Sequence, residues 1–240
     1  MISLYNKSGF TLVEMSIVLV IIGLIVGGVI AGKSLIETAK LQNLIQEIND
    51  IRLALNTYEL KYDALPGDHI NAQAIFGAAA CPNGGGGTNP CNGDGSNTIE
   101  DGVGYEDTRQ FQHMALASIF HRKLKTWTSN GGGALHISSF GQNAGGTIHY
   151  SPDLGQHVIR FADDSSTYGS YYSKSVIPSK DAMRIDKKYD DGQANSGKIT
   201  ASLTGTHHRN WTDAELCHTN SGDYRLDNIG PICILYFSAR

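Results

Sequence analysis

The segment of this sequence best suited to chemistry carries oxygen-bearing side chains at every second position. The five residues are Asn92, Asp94, Ser96, Thr98 and Glu100. Ligands at alternating positions are typical of the EF-hand loop, which binds Ca²⁺ through oxygen atoms. Asn97 replaces the usual turn glycine and Val103 replaces the closing glutamate, although Glu106 is available as a later carboxylate. The pattern predicts a Ca²⁺ site that departs from the EF-hand, with a polar surface turn as the alternative interpretation.

A second group of carboxylates, Asp186, Asp190 and Asp191, is another candidate for Ca²⁺. The residues that follow, 192–198, fit the pattern GxxxxGK of a phosphate-binding loop. Ile199, however, stands where such a loop requires Ser or Thr to hold Mg²⁺. The two aspartates just before the glycine would also repel a phosphate. The residue types, rather than the spacing, therefore exclude a nucleotide site of this type.

Catalytic and zinc patterns are weak in this chain. The sequence contains neither HExxH nor GxSxG. His207, His208, Cys217 and His218 lie close enough along the chain to suggest zinc, but adjacent histidines on a strand point to opposite faces. We therefore predict that the protein is not an enzyme.

The apolar run from Phe10 to Gly32 is the element that predicts where in the cell the chain is located. Its length as a helix is roughly 35 Å, enough to cross a bilayer core of about 30 Å. Glu14 is its only ionisable side chain. An ionised acid inside a membrane helix costs about 2.5–3.5 kcal/mol, so Glu14 is expected to have a task and a partner. Cleavage after Gly9 would free an amine about one turn before this carboxylate.

The residues around this junction resemble the N-terminal signature of type IV pilins and type II secretion pseudopilins. The resemblance comprises a short leader with Lys7, the Gly9–Phe10 junction, the Thr-Leu-Val-Glu of residues 11–14 and the long apolar helix. It implies that a prepilin peptidase cuts after Gly9 and N-methylates Phe10. It also implies that Glu14 guides the docking of subunits.

The same resemblance implies a location and partners. The precursor is expected to cross the bacterial inner membrane once, among its lipids, with the head in the periplasm, and to join a periplasmic or cell-surface filament. Its partners would be other pilin or pseudopilin subunits and an inner-membrane assembly platform. Two alternatives stay open: an ordinary secretory signal cut after Ala31, and a membrane-anchored periplasmic binding or adhesive protein that does not polymerise.

Beyond the apolar run, the sequence predicts that the helix continues to Tyr62 and ends before Pro66. Seven apolar residues with alternating spacings of three and four form one seam: Leu41, Leu44, Ile48, Ile51, Leu55, Tyr58 and Tyr62. The predicted organisation is a leader at 1–9, a helix at 10–62 with residues 10–32 in the membrane or filament core, and a periplasmic globular head at 63–240.

The predicted head is α+β, with the long helix packed on a mainly antiparallel sheet as in pilins. Amphipathic spacing predicts helices at 107–121 and 179–189, and short apolar runs predict the strands. Parts of the head, including residues 182–199, also resemble one branch of pilin-like proteins. The basic residues at 121–125 are interpreted as partners of a helix C-terminus.

Composition supports an exported, loop-rich head. The chain has 240 residues, 28 glycines and a net charge of −4, a balance that argues against general nucleic-acid binding. Four cysteines in an exported chain favour disulfides. Of the three connectivities, we expect pairing in sequence order, Cys81–Cys91 and Cys217–Cys233, and a C-terminal loop closed in this way resembles many pilins.

Overall fold

A computed structural model describes most of the chain, namely residues 9–77, 91–100, 106–127, 133–136, 138, 140, 144–163, 175–201, 217–219, 221–227 and 230–240. These residues belong to two compact units, Met1–Gln42 and Asn43–Arg240. The second unit therefore contains the latter part of the long helix as well as the predicted head, 63–240.

The first unit is a helix with apolar side chains on every face. Helix α1 spans Leu12–Tyr62 and begins within this unit. The large apolar side chains of α1 between Leu12 and Ile36 are exposed; Leu12, for example, is 91% exposed and Ile36 is 60% exposed. Within the described residues, α1 is the one helix long and apolar enough to cross a membrane. Exposed apolar surface on this scale requires lipid or other protein around it.

In the second unit, one face of α1 is buried. The buried apolar residues are Leu44, Ile45, Ile48, Ile51, Ala54, Leu55 and Tyr58. The spacing of three and four had predicted five of them, because residues so spaced share one face of a helix. The helix ends at Tyr62, as predicted, and Asp63 adopts a positive φ of 49°. Arg52 of the same segment donates from Nε to the carbonyl of Ser238 at 2.8 Å.

Within its described residues, the head contains three further helices and eight short strands. The helices are α2 (Ala72–Phe76), α3 (Glu106–Leu116) and α4 (Ser179–Tyr189). The strands are β1 (Leu124–Trp127), β2 (Gly133–His136), β3 (Ala144–Ser151), β4 (Gln156–Asp163), β5 (Ile177–Pro178), β6 (Ile199–Ala201), β7 (Pro231–Cys233) and β8 (Leu235–Ser238). The fold is α+β, as the sequence predicted.

The main sheet has four strands in the order β3-β4-β8-β6, and all of its neighbouring pairs are antiparallel. Ile148, Ile159 and Phe237 are matched across three of these strands and are fully or nearly fully buried. Strand β1 pairs with β2, and β5 pairs with β7, in two further two-stranded sheets. The mainly antiparallel sheet confirms the predicted architecture.

Helix α3 is shorter than the predicted helix 107–121. It ends at Leu116, where Ser118 takes a positive φ of 57°. The N–H of Ile119 donates to the carbonyl of Met114, and the N–H of Ser118 donates to that of Ala115, which is the Schellman arrangement of a helix C-terminus. The chain then reverses into β1, so the basic residues at 121–125 do not cap a helix. That part of the prediction was wrong.

Both edges of the main sheet carry side-chain caps. At β3, the Gln110 amide accepts from the N–H of Ile148 at 3.0 Å and donates to its carbonyl at 2.8 Å. At β6, a carboxylate oxygen of Asp190 accepts the N–H groups of Lys198 and Ile199. The backbone groups that an edge strand offers to another chain are therefore occupied at these residues.

Candidate functional site

The start of α1 holds the first candidate site. Because α1 begins at Leu12, Thr11 is the N-cap residue and Glu14 is the third residue of the helix. The N–H and the hydroxyl of Thr11 donate to Oε2 of Glu14 at 2.7 and 2.9 Å. The N–H of Glu14 donates to Oγ1 of Thr11 at 3.2 Å. This reciprocal pair is a capping box, which satisfies two donors at the helix N-terminus.

The capping box gives Glu14 a role inside its own chain. The carboxylate lies at the positive end of the helix dipole, which stabilises a negative charge. Among the described residues, Oε1 of Glu14 makes no hydrogen bond. The capping box was not predicted, although Thr-x-x-Glu before an apolar run is the known sequence signal for this motif. Phe10, at the predicted cleavage junction with Gly9, is 81% exposed.

A group of three carboxylates lies beside the predicted Ca²⁺ loop. Asp68, Asp94 and Glu106 each place an oxygen within 4.8 Å of the other two. Oδ1 of Asp68 accepts the N–H groups of Gly95 and Ser96 at 2.6 and 3.0 Å. Asp68, from the turn after α1, thus fixes the path of a loop more than twenty residues later. No local sequence pattern indicates this contact.

The electrostatics of the group depend on burial. Burial raises the pKa of Glu106 to about 7, against the hydrogen bonds from the N–H groups of Asp94 and Glu100 that lower it. Burial is also the main cause of the raised pKa of Asp68. Asp94 is exposed, and hydrogen bonds from Ser96 lower its pKa. A divalent cation here would favour the ionised carboxylates and reverse the upward shifts.

The five predicted Ca²⁺ ligands make different contacts in the structure. Asp94 contributes to the carboxylate group, whereas Glu100 donates its backbone N–H to Oε2 of Glu106 at 3.2 Å. Oδ1 of Asn92 accepts the N–H of Gln73 at 2.8 Å. The hydroxyls of Ser96 and Thr98 bond each other at 2.9 Å. Glu106, predicted as a late carboxylate, does join the group, and Ca²⁺ binding here stays a prediction.

The second predicted acidic group is also brought together. Asp186, Asp190 and Asp191 place oxygens within 4.8 Å of one another at the end of α4. Asp186 is fully buried and accepts the hydroxyl of Tyr224 at 2.7 Å and the N–H of Gly192 at 3.1 Å. Burial raises the pKa of Asp186 to about 6. These carboxylates could hold a cation, but they also fix the following loop through hydrogen bonds, so Ca²⁺ stays a prediction here too.

The cysteines stabilise the C-terminal part of the head. Cys217 and Cys233 form a disulfide, in the pairing that the sequence favoured. Ser179, at the start of α4, donates its hydroxyl to the carbonyl of Cys217 at 3.1 Å. Because Cys217 is oxidised, its sulfur is not a zinc ligand. Cys91 is also in a disulfide, and its predicted partner Cys81 lies outside the described residues, as do the histidines 207 and 208.

Comparison with known proteins concerns the N-terminal segment. Residues 4–30 match the family model for the prokaryotic N-terminal methylation motif. The match includes the Gly9–Phe10 junction and both partners of the capping box. No curated protein and no solved structure gives a significant match. The chain therefore carries, at residues 4–30, the signature of the precursors of type IV pilins and pseudopilins.

Proposed function

We propose that this chain is a structural filament subunit, a pilin of a type IV pilus or a pseudopilin of a type II secretion filament. A prepilin peptidase would remove residues 1–9 and methylate the amine of Phe10. The subunit would then leave the inner membrane at an assembly platform and join other subunits through α1. The observation that carries the proposal is the methylation motif at residues 4–30, together with the exposed apolar side chains of α1 from Leu12 to Ile36.

The geometry of Glu14 supports a role in docking. In the single chain, Thr11 and the helix dipole stabilise the carboxylate. They therefore reduce the free-energy cost of an ionised Glu14 in the membrane before assembly. Both hydrogen bonds from Thr11 go to Oε2. Oε1 can therefore accept a further hydrogen bond from the amine freed at Phe10 of a neighbouring subunit. A charge-assisted bond of this kind is strong and directional where water is scarce.

The head supports assembly through the helix rather than through its sheet. Gln110 caps the edge strand β3 at Ile148, and Asp190 caps the edge strand β6 at Ile199. Such caps oppose the pairing of one sheet with another across their edges. The exposed apolar side chains of α1 in the first unit, in contrast, are available to neighbouring subunits.

The mass of the mature chain tests this proposal directly. We expect a chain that begins at Phe10 and carries one additional methyl group, measured on protein purified from the native membrane. Gly9→Val is the matched control, because a branched side chain at the junction should block cleavage and leave the leader in place. A parent chain that keeps residues 1–9 would instead favour a membrane-anchored periplasmic binding or adhesive protein. A start at Gly32 would indicate an ordinary secretory signal.

A further inference from the structure

A cluster of aromatic rings lies where α1 ends and the chain enters the head. Its members are Tyr58, Tyr62, His69, Phe76 and His113. His113 of α3 is fully buried, with its ring stacked on Tyr58 at a centroid distance of 6.1 Å. The other rings come from α1 and from residues 63–77, here called the helix-exit segment. The cluster thus joins that segment to α3.

The hydrogen bonds of His113 fix its protonation state. The N–H of Gly67 donates to Nδ1 at 2.9 Å, so this nitrogen must be unprotonated. Nε2 lies 2.8 Å from the carbonyl of Cys91, which can only accept, so Nε2 carries the proton. The ring is therefore neutral, and it links the helix-exit segment and Cys91 to α3.

Protonation of Nδ1 would break this arrangement. The added N–H would face the N–H of Gly67, and two donors cannot bond each other. Burial is the main cause that lowers the pKa of His113 to about 4. The hydrogen bond to the carbonyl of Cys91 opposes this decrease, and the positive charges of His69 and Arg109 are smaller causes that add to it. Among the described residues that contact the ring, Tyr58 faces it with a neutral phenol whose pKa burial raises, and Cys91 is in a disulfide, so neither supplies a negative charge.

We propose that His113 is an acid-sensitive lock, whose neutral imidazole holds the helix-exit segment on α3 and whose protonation at Nδ1 releases that segment. Once the segment is released, the imidazole of His113 on α3 is hydrated and binds a proton at its ordinary affinity. Acid therefore opens this part of the head while the four-stranded sheet stays folded.

The sign of the effect follows from the two protonation states. Between about pH 6.5 and pH 4 the open form binds one more proton than the closed form, so opening becomes more favourable as the pH falls. From about pH 7.5 to pH 4.5 the opening equilibrium should rise on the order of tens of fold. The effect should be confined to the elements that His113 joins.

Hydrogen exchange on the full-length chain in detergent measures this opening. We expect the protection factors of residues 63–77 to fall by tens of fold from about pH 7.5 to pH 4.5, relative to those of β4. His113→Gln keeps a donor and an acceptor but does not titrate, so it should remove most of the difference. His121→Gln, at an exposed histidine, is the matched control and should behave like the parent. An unchanged pH response in His113→Gln would overturn the proposal.

Histidine NMR keeps the proposal testable if His113→Gln does not fold. In the parent protein the ¹⁵N signals of His113 should show the Nε2–H tautomer at neutral pH, and its protonation should coincide with the loss of protection in residues 63–77. Protonation of His113 near pH 6 with the segment still protected would overturn the proposal.

Discussion

At the scale of single residues, Gly67 shows how closely the chain after α1 packs against α3. Its φ of +94° lies in the region that favours glycine, and a Cβ added there would collide with the carbonyl oxygen of Glu106. Two sets of hydrogen bonds depend on this close approach. Asp68, the next residue, accepts the N–H groups of Gly95 and Ser96, and the N–H of Gly67 donates to Nδ1 of His113. One glycine therefore allows the helix-exit segment to reach both the carboxylate group and the aromatic cluster.

Gly67→Ala should destabilise the head strongly. The substitution adds both a strained backbone conformation, at about 1–2 kcal/mol, and a steric clash with the backbone of α3. Gly155→Ala is the matched control, because Gly155 also has a positive φ of +61° but nothing lies within 4 Å of an added Cβ. Thermal unfolding should show a decrease in Tm for Gly67→Ala at least twice that for Gly155→Ala. Equal decreases in Tm would mean that the close approach of Gly67 to Glu106 does not affect the stability of the head.

At the scale of elements, local patterns predicted the fold where a residue's role depends on its near neighbours. The spacing of three and four identified the buried face of α1, and amphipathic spacing gave α4 at Ser179–Tyr189 as observed. The end of α3 was not predicted because it depends on a positive φ at Ser118, and serine does not favour a positive φ. Asp68 and His113 were missed because their partners are distant in sequence. Thr11, by contrast, had a local signal.

Calcium dependence distinguishes the two acidic groups. If either group binds Ca²⁺, the full-length chain in detergent should melt at a higher temperature in millimolar Ca²⁺ than in chelator, because ligand binding stabilises the folded state. Asp94→Ala should abolish the increase if the group with Asp68 and Glu106 is responsible. Asp191→Ala should abolish it if the group at the end of α4 is responsible. Equal melting temperatures of the parent in both buffers would identify the two groups as hydrogen-bonded turns.

At the scale of the whole molecule, the chain combines an apolar helical unit with a head that is stabilised by its own contacts. The second unit, which comprises the head and the part of α1 from Asn43 onward, contains a four-stranded antiparallel sheet, the disulfide Cys217–Cys233 and the buried face of α1. The apolar side chains of the first unit, in contrast, have no partners within the described residues of that unit. This division is what a subunit requires if it is stored in a membrane and later packed into a filament.

We propose that the charge of Glu14 pairs subunits during assembly, and two variants separate that charge from the capping box. Glu14→Gln should keep the cap, since Gln serves as well as Glu at this position, while Glu14→Ala loses both cap and charge. Membrane insertion, leader removal and filament yield should be measured together in each variant. We predict normal insertion and normal leader removal in both, with filaments lost or out of register in both. Normal filaments from Glu14→Gln would contradict the claim.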